Sequence, residues 1–381
     1  MSKARARALG VALLAGMGAV VWLYMTRQGE PTRTKEQVIA KVDSSLEKLA
    51  SKGVSGSLLL SQDGEVWLAR GYGFADRSTR RAVAPDTGFD IGSLVKQFTA
   101  AAILKLEDQG KLRLGDRLAA LLPDAPPDKA QITVQQLLGH SSGLLDIVDA
   151  NSDPIGYTPE FDYRPVSRDE IVRRALQAKL LFAPGEKVRY SNLGYSLLGA
   201  IIERASGATY EQDLLEALFR PSGMSRTGYL APGWKPANLA VGYRKGEPWG
   251  TPLDHRWLAD GPSWNLRANG GMLSTTQDLL KWIRALEGDS VFPPEEKEKF
   301  FKLNVHTNRR GARTMGPAGS NEILDACFLW YLDEHRVIVM LTSSDAYRAE
   351  EMVPDIAQRM RSVRASSPSE APRARLQQPR T

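Results

Sequence analysis

Residues 89–110 read FDIGSLVKQFTAAAILKLEDQG, and this segment predicts a buried helix that begins beside a serine. Gly92 ends an extended approach, and the middle of the segment between Ser93 and Gly110 has almost no polar side chains. A glycine in the position of Gly110 is a typical C-terminal stop of a helix. Because the middle of this helix is almost wholly apolar, we expect it to be packed inside the protein.

The first turn of the predicted helix places two reactive side chains together. Ser93 and Lys96 are three residues apart and share one helix face. Exclusion of water and the positive end of the helix dipole both disfavour the charged form of such a lysine. A neutral amine within reach of a hydroxyl is a general base beside a nucleophile. The pattern alone is common, since Ser45 and Lys48 repeat it in a charged amphipathic segment where the lysine is expected to be solvated.

The composition excludes several classes of site. The 381 residues are 42% hydrophobic and 25% charged, which allows one large domain or two. The net charge of +6 is spread along the chain without a basic block interleaved with aromatics, so we expect no nucleic-acid partner. Cys327 is the single cysteine, which excludes an intramolecular disulfide. The four histidines lack metal-ligand spacing, and we expect neither a metal nor another cofactor.

The N-terminal residues 1–30 predict a membrane segment. Lys3, Arg5 and Arg7 precede an uncharged run from Leu9 to Met25. At 1.5 Å per residue this run reaches about 26 Å, just enough to cross the hydrocarbon core. A cleaved signal sequence is the alternative, but no small-residue cleavage site follows the run. We therefore expect a single-pass anchor with the rest of the chain outside the cytoplasm, in the periplasm or extracellular space.

Two hairpins are predicted, one near each end of the chain. The first lies in residues 57–69 and turns at Asp63-Gly64, a pair typical of two-residue hairpin loops. The second lies in residues 323–342. Residues 111–225 between them show mainly helical patterns.

This order of elements predicts the fold class. We expect an α/β fold with an antiparallel sheet flanked by helices, and an all-helical subdomain inserted at about residues 111–225. The domain is expected to span residues 31–364. Residues 365–381 are rich in Ser, Pro, Arg and Gln, and they predict a disordered tail.

A second pair of candidate residues lies in the segment Tyr190-Ser191-Asn192. If this segment is extended, Tyr190 and Asn192 face the same side and can point into one cleft. A tyrosine near a lysine can relay a proton, and an asparagine can hold a carbonyl or an amide of a substrate. The alternative is a half-buried tyrosine whose hydroxyl contacts water.

Six segments, in this order and spacing, resemble the serine β-lactamase-like family. That family groups class C β-lactamases, D-Ala-D-Ala carboxypeptidases of the penicillin-binding type, and related esterases. The resemblance covers about residues 35–360 and implies the fold described above, with acyl transfer through a serine ester. The segments are Ser93-Leu94-Val95-Lys96, Leu138-Gly139-His140-Ser141-Ser142-Gly143, Pro184-Gly185-Glu186, Tyr190-Ser191-Asn192, Gly223-Met224 and Gly270-Gly271-Met272-Leu273-Ser274.

The resemblance implies a role for each matching residue. Ser93 matches the nucleophile, Lys96 its base and Tyr190 the proton-relay tyrosine. Asn192 matches the contact to the substrate amide.

The third family motif is altered in this chain. It matches residues 316–321, where Pro317 stands in place of the usual His or Lys. Gly319 keeps the close backbone approach, and the Ser320 N–H would complete an oxyanion hole with the Ser93 N–H. A cation for a substrate carboxylate is lost, unless it is replaced by one of the nearby arginines at positions 309, 310 and 313.

The sequence therefore predicts a membrane-anchored serine hydrolase with a small-molecule or peptidoglycan-like ester or amide as substrate. Esterase or amidase activity ranks first, peptidase activity second and β-lactamase activity last, because of Pro317. The alternatives are a non-catalytic binding or scaffold protein on the same fold and a cell-wall sensor that acylates slowly.

Overall fold

The computed structural model describes residues 33–145, 165–255, 258–321, 323–343 and 347–363. The described residues divide into two compact units, a larger one within residues 45–354 and a terminal unit that contains residues 33–44 and 355–363. In the terminal unit the Arg33 N–H donates to the Ser362 carbonyl at 2.9 Å, and Arg33 forms a parallel bridge with Val363.

The described residues form ten α-helices and thirteen strands. The helices are α1 (Lys35–Ala50), α2 (Val95–Asp108), α3 (Leu118–Leu121), α4 (Val134–Leu138), α5 (Arg168–Gln177), α6 (Asn192–Ser206), α7 (Tyr210–Leu214), α8 (Thr276–Glu287), α9 (Pro294–Asn304) and α10 (Ala349–Arg361). The strands are β1 (Gly56–Gln62), β2 (Glu65–Tyr72), β3 (Phe74–Asp76), β4 (Arg81–Ala82), β5 (Phe89–Asp90), β6 (Gly242–Arg244), β7 (Glu247–Gly250), β8 (Leu273–Ser274), β9 (His306–Thr307), β10 (Arg313–Met315), β11 (Ala318–Ser320), β12 (Asp325–Tyr331) and β13 (Arg336–Thr342).

A seven-stranded antiparallel sheet joins the two predicted hairpins. Its order is β2-β1-β13-β12-β10-β9, and β11 also pairs with β12. Leu59 in β1 lies opposite Ala69 in β2 on one side and Val339 in β13 on the other. The sheet thus combines strands from both ends of the larger unit. Together with the surrounding helices it confirms the predicted fold class.

The first hairpin turns where the sequence indicates. Asp63 and Gly64 both have positive φ, 51° and 79°. Two such residues define a type I′ turn, whose twist matches that of the flanking strands. Asp is one of the few side chains that tolerate this region, and glycine has no steric penalty there.

Helix α2 lies in the core, as predicted. A short 3₁₀ turn at Gly92–Leu94 precedes it, and its residues from Val95 to Leu104 are all buried. The ring of Phe98 meets Phe219 and Trp282 edge to face, at centroid distances of 5.2 and 5.0 Å. α2 packs against α6, α7 and α9. The described residues between β5 and β6 contain helices and no strand.

The two predicted terminal segments, residues 1–30 and 365–381, lie outside the described residues. Among the helices that the structure describes, none combines the length and the apolar character that a bilayer crossing requires.

Candidate active site

Lys96 is held directly beneath the candidate nucleophile. Its Nζ lies 3.1 Å from Ser93 Oγ, and it also donates to Asn192 Oδ1 and to the Asn269 carbonyl, each at 2.7 Å. The lysine is 7% exposed. A neutral amine has two N–H donors and one lone pair. A neutral amine at this position would have its lone pair within reach of the Ser93 hydroxyl, since Nζ and Oγ are 3.1 Å apart.

Tyr190 lies on the other side of the serine. Its Oη is 2.7 Å from Ser93 Oγ, and Lys96 Nζ is 4.8 Å from the centroid of its ring. The side chain is 45% exposed, so the phenol stands at the mouth of the site. Ser93 thus has an amine and a phenol within hydrogen-bonding distance at the same time.

Asn192 is the first residue of α6 and does not lie on an extended segment. Ser191 is the N-cap, with φ at −144°, and its hydroxyl accepts the Gly194 N–H at 3.1 Å. The helix therefore begins inside the segment that was considered as extended, because the serine N-cap provides a start signal. Both flanking side chains still reach the site, Tyr190 at Ser93 and Asn192 at Lys96.

The third motif packs its backbone directly against the nucleophile turn. A Cβ placed on Gly319 would lie 2.5 Å from the Ser93 nitrogen, and one on Gly92 would lie 2.6 Å from the Ser320 nitrogen. Gly92 also has a positive φ of 48°. No side chain fits between these two segments. The main-chain N–H groups of Ser93 and Ser320 therefore lie on facing segments, as an oxyanion hole requires.

A buried carboxylate joins the same two segments. Asp90 accepts the Gly92 N–H at 2.7 Å and the Asn321 side-chain amide at 3.1 Å. Burial raises the pKa of Asp90 to about 6, although both hydrogen bonds favour the ionised form. Sequence reasoning did not identify this residue, because an aspartate before a turn is too common a signal.

The carbonyl that binds Lys96 is itself fixed. The Asn269 side-chain amide donates to Ser196 Oγ at 2.9 Å and to the Asn265 carbonyl at 2.7 Å. The glycine-rich segment that begins at Asn269 can be recognised in the sequence, but its role in binding Lys96 cannot. Its contact to Lys96 is made by the backbone, which carries no sequence signal.

Arg348 lines the cleft in front of Ser93. Its Nε lies 3.4 Å from Asp325 Oδ1, and its Nη1 lies 3.2 Å from Glu350 Oε1. Of the arginines considered in the sequence, Arg313 binds Asp333 instead, and none of the three lines this cleft. The cleft has a volume of about 270 Å³ and is lined by Ser93, Tyr190, Ala318, Gly319, Ser320, Asp325, Ala326, Arg348 and Glu350.

The described residues hold no cluster of three or more histidine, cysteine or carboxylate side chains that could bind a metal ion. Around Ser93 the described residues supply a hydroxyl, an amine, a phenol and main-chain N–H groups.

Residues 40–361, most of the chain, match the family described as Beta-lactamase. The chain belongs to the β-lactamase family. The predicted membership in this family of serine hydrolases is confirmed.

Two curated proteins are similar in sequence to this chain. Protein flp of Staphylococcus aureus (strain COL) is 27% identical over 308 residues, which cover 78% of this chain and 57% of that protein. The putative penicillin-binding protein PbpX of Bacillus subtilis (strain 168) is 31% identical over 250 residues, covering 65% of this chain and 59% of that protein. The chain thus spans less than two thirds of the length of these relatives.

A solved structure of the same family shares the fold. The octameric penicillin-binding protein homologue from Pyrococcus abyssi superimposes with a TM-score of 0.72 at 25% identity. The superposition covers 85% of this chain and 78% of that one.

Proposed function

We propose that this protein cleaves an ester or amide through an acyl-enzyme on Ser93. The observation that supports this most strongly is the position of Ser93 Oγ, 3.1 Å from Lys96 Nζ and 2.7 Å from Tyr190 Oη. A scaffold protein on this fold has no need of a buried lysine held by two acceptors beneath an accessible serine.

In the proposed mechanism neutral Lys96 accepts the Ser93 proton while Oγ attacks the substrate carbonyl carbon. The Ser93 and Ser320 N–H groups hold the resulting oxyanion, beside the close approach at Gly319. Tyr190 relays the proton from the amine to the leaving group, which departs as an alcohol or amine. Water then attacks the carbonyl carbon of the serine ester and gives one proton to the same groups. The bond between that carbon and Ser93 Oγ breaks, Oγ takes the proton back, and the acid leaves.

The cleft favours substrates without a carboxylate next to the scissile bond. Pro317 provides no cation there, and Arg348 contacts both Asp325 and Glu350. A substrate carboxylate would have to compete with these two groups for the guanidinium. We therefore place esterase or amidase activity on a small-molecule or peptidoglycan-like substrate first, peptidase activity next and β-lactamase activity last.

We also propose that residues 9–25 anchor the chain in the cell membrane with the domain outside the cytoplasm. Their uncharged character and the basic residues before them support this location. Alkaline carbonate extraction of membranes should release a variant that lacks residues 1–30 and leave the full chain in the pellet. Release of both proteins would refute the anchor.

Labelling with a fluorophosphonate and turnover of p-nitrophenyl esters of graded chain length test the reaction. We expect one adduct by intact mass on the wild-type protein and none on Ser93→Ala, with turnover reduced by more than about 10³-fold. Ser45→Ala is the matched control, because Ser45 and Lys48 form the same pattern outside the cleft. A wild-type protein with neither adduct nor turnover would instead support a scaffold role.

A further inference from the structure

His140 lies directly behind Tyr190. It follows the end of α4 and has φ at 54°, a region that residues other than glycine seldom occupy. Its ring stacks on Tyr190 with centroids 4.6 Å apart and planes 29° apart. A second aromatic neighbour is Tyr195, whose ring centroid is 5.0 Å from that of His140.

The same histidine also holds the backbone on both sides of Tyr190. The Arg189 N–H donates to the His140 carbonyl at 2.8 Å, and the Ser191 N–H donates to His140 Nδ1 at 3.2 Å. One residue therefore contacts the ring of Tyr190 and binds the amides that precede and follow it. No other role in the proposed mechanism accounts for this set of contacts.

Tyr190 needs such support because nearly half of its side chain is exposed. Core packing restrains only its inner part, yet its phenol has to remain at hydrogen-bonding distance from Ser93. We propose that His140 is a positioning residue that clamps the Tyr190 segment and holds the phenol against Ser93 Oγ. This inference rests on the proposed function of Ser93 and adds a residue that acts through Tyr190.

The clamp requires an unprotonated Nδ1, because only that form accepts the Ser191 N–H. Among the described residues, the titratable groups that face the imidazole are Lys96, Tyr190 and Tyr195. Burial, and then the nearby Lys96, lower the pKa of His140 to about 4. The hydrogen-bond acceptor at Nδ1 is thus present at neutral pH.

The His140→Asn substitution removes the stacking ring and is designed to leave the fold intact. Asparagine tolerates positive φ, and its side-chain oxygen can accept a hydrogen bond, so the variant should fold. Misplacement of a catalytic group by about 1 Å can cost 10²-fold in rate. We therefore expect kcat for p-nitrophenyl ester hydrolysis to fall about 10- to 100-fold, with KM changed less than about threefold.

His335→Asn is the matched control. His335 also has a positive φ, 44°, but it lies at the tip of the β12–β13 hairpin and does not line the cleft. We expect its kcat to equal that of the wild type. His140→Gln, which keeps a hydrogen-bond acceptor without a ring, should resemble His140→Asn, so that a failure of one variant to fold leaves the other as a test.

Crystal structures of the wild type and His140→Asn provide a readout that does not depend on activity. The Tyr190 Oη to Ser93 Oγ distance should stay near 2.7 Å in the wild type and lengthen in the variant. An unchanged distance, or unchanged kcat in a folded variant, would overturn the positioning role. A wild type that turns over no ester would remove the proposed function, while the distance would still decide the role of His140.

Discussion

At the scale of single residues, the site depends on one hydroxyl shared between an amine and a phenol. The contact between Ser93 and Lys96 could be predicted, because residues three apart on a helix share a face. The third partner of the lysine could not, since it is the main-chain carbonyl of Asn269, distant in sequence. Asp325 and Arg348 were missed for a related reason, because only the tertiary structure brings them to the cleft.

Tyr190→Phe tests the phenol alone. Removal of the hydroxyl should lower kcat about 10²- to 10⁴-fold, the range for loss of a proton-transferring group. The melting temperature should hardly change, because the hydroxyl lies at the exposed mouth of the site and the ring still stacks on His140. Steady-state kinetics and thermal unfolding of the same preparations measure both quantities.

Tyr243→Phe is the matched control for that substitution. The Tyr243 hydroxyl accepts the Arg77 N–H at 2.6 Å and the side chain is buried, outside the cleft. Its loss should cost about 1 kcal/mol of stability and leave kcat unchanged. A Tyr190→Phe protein as active as Tyr243→Phe would exclude the proton relay.

At the scale of elements, local signals predicted what local geometry determines. The Asp63-Gly64 pair is typical of a two-residue hairpin turn, and the apolar run of α2 is typical of a buried helix. Ser191 was assigned to an extended segment, although its hydroxyl caps the start of α6. The position of β11 depends on the close approach of its backbone to the turn at Gly92. In the sequence, only the glycines at the points of contact indicate that approach.

Gly319→Ala tests that approach of β11 to the nucleophile turn. The new Cβ would lie 2.5 Å from the Ser93 nitrogen, so the two segments must separate. We expect a loss of about 1–3 kcal/mol in stability from overpacking. Displacement of an oxyanion donor should also lower kcat about 10²- to 10³-fold. Urea unfolding and ester hydrolysis measure the two effects.

Gly110→Ala is the control for a glycine substitution without a clash. Gly110 has φ at 69° and no atom within 4 Å of the position of a Cβ, so only the backbone conformation is penalised. The stability cost should be about 1–2 kcal/mol, with kcat unchanged. Equal kcat values for the two variants would show that the approach of β11 does not matter for the reaction.

At the scale of the whole molecule, the order of strands in the sheet could not be predicted from sequence patterns. Each hairpin is local, but β1 pairs with β13, so Leu58 lies opposite Met340. Alternation of apolar residues indicates a strand and does not select its neighbour. The resemblance to a known family implied an antiparallel sheet, and the order of its strands comes from the structure. The free energy of unfolding of the larger unit also depends on the protonation of its buried titratable groups.

Two such groups respond to pH in opposite directions. The pKa of His140 is lowered from 6.5 to about 4, so the folded state binds fewer protons than the unfolded state between these values. Its contribution to stability is present above pH 6.5 and is lost as the pH falls to 4. The pKa of Asp90 is raised from 3.8 to about 6, so its contribution is present below pH 3.8 and is lost as the pH rises through 6.

The stability of His140→Asn and Asp90→Asn relative to the wild type should therefore change with pH in opposite senses. His140→Asn lacks the group that destabilises the folded state in acid, so it should gain up to about 3 kcal/mol relative to the wild type as the pH falls from 6.5 to 4. Asp90→Asn should gain a similar amount, about 2–3 kcal/mol, as the pH rises from 4 to 6. Urea unfolding at pH 4, 5, 6 and 7 measures these differences, and each variant is the control for the other. Three parallel curves would mean that neither group titrates differently in the folded and unfolded states, and that the burial of both side chains has no electrostatic consequence.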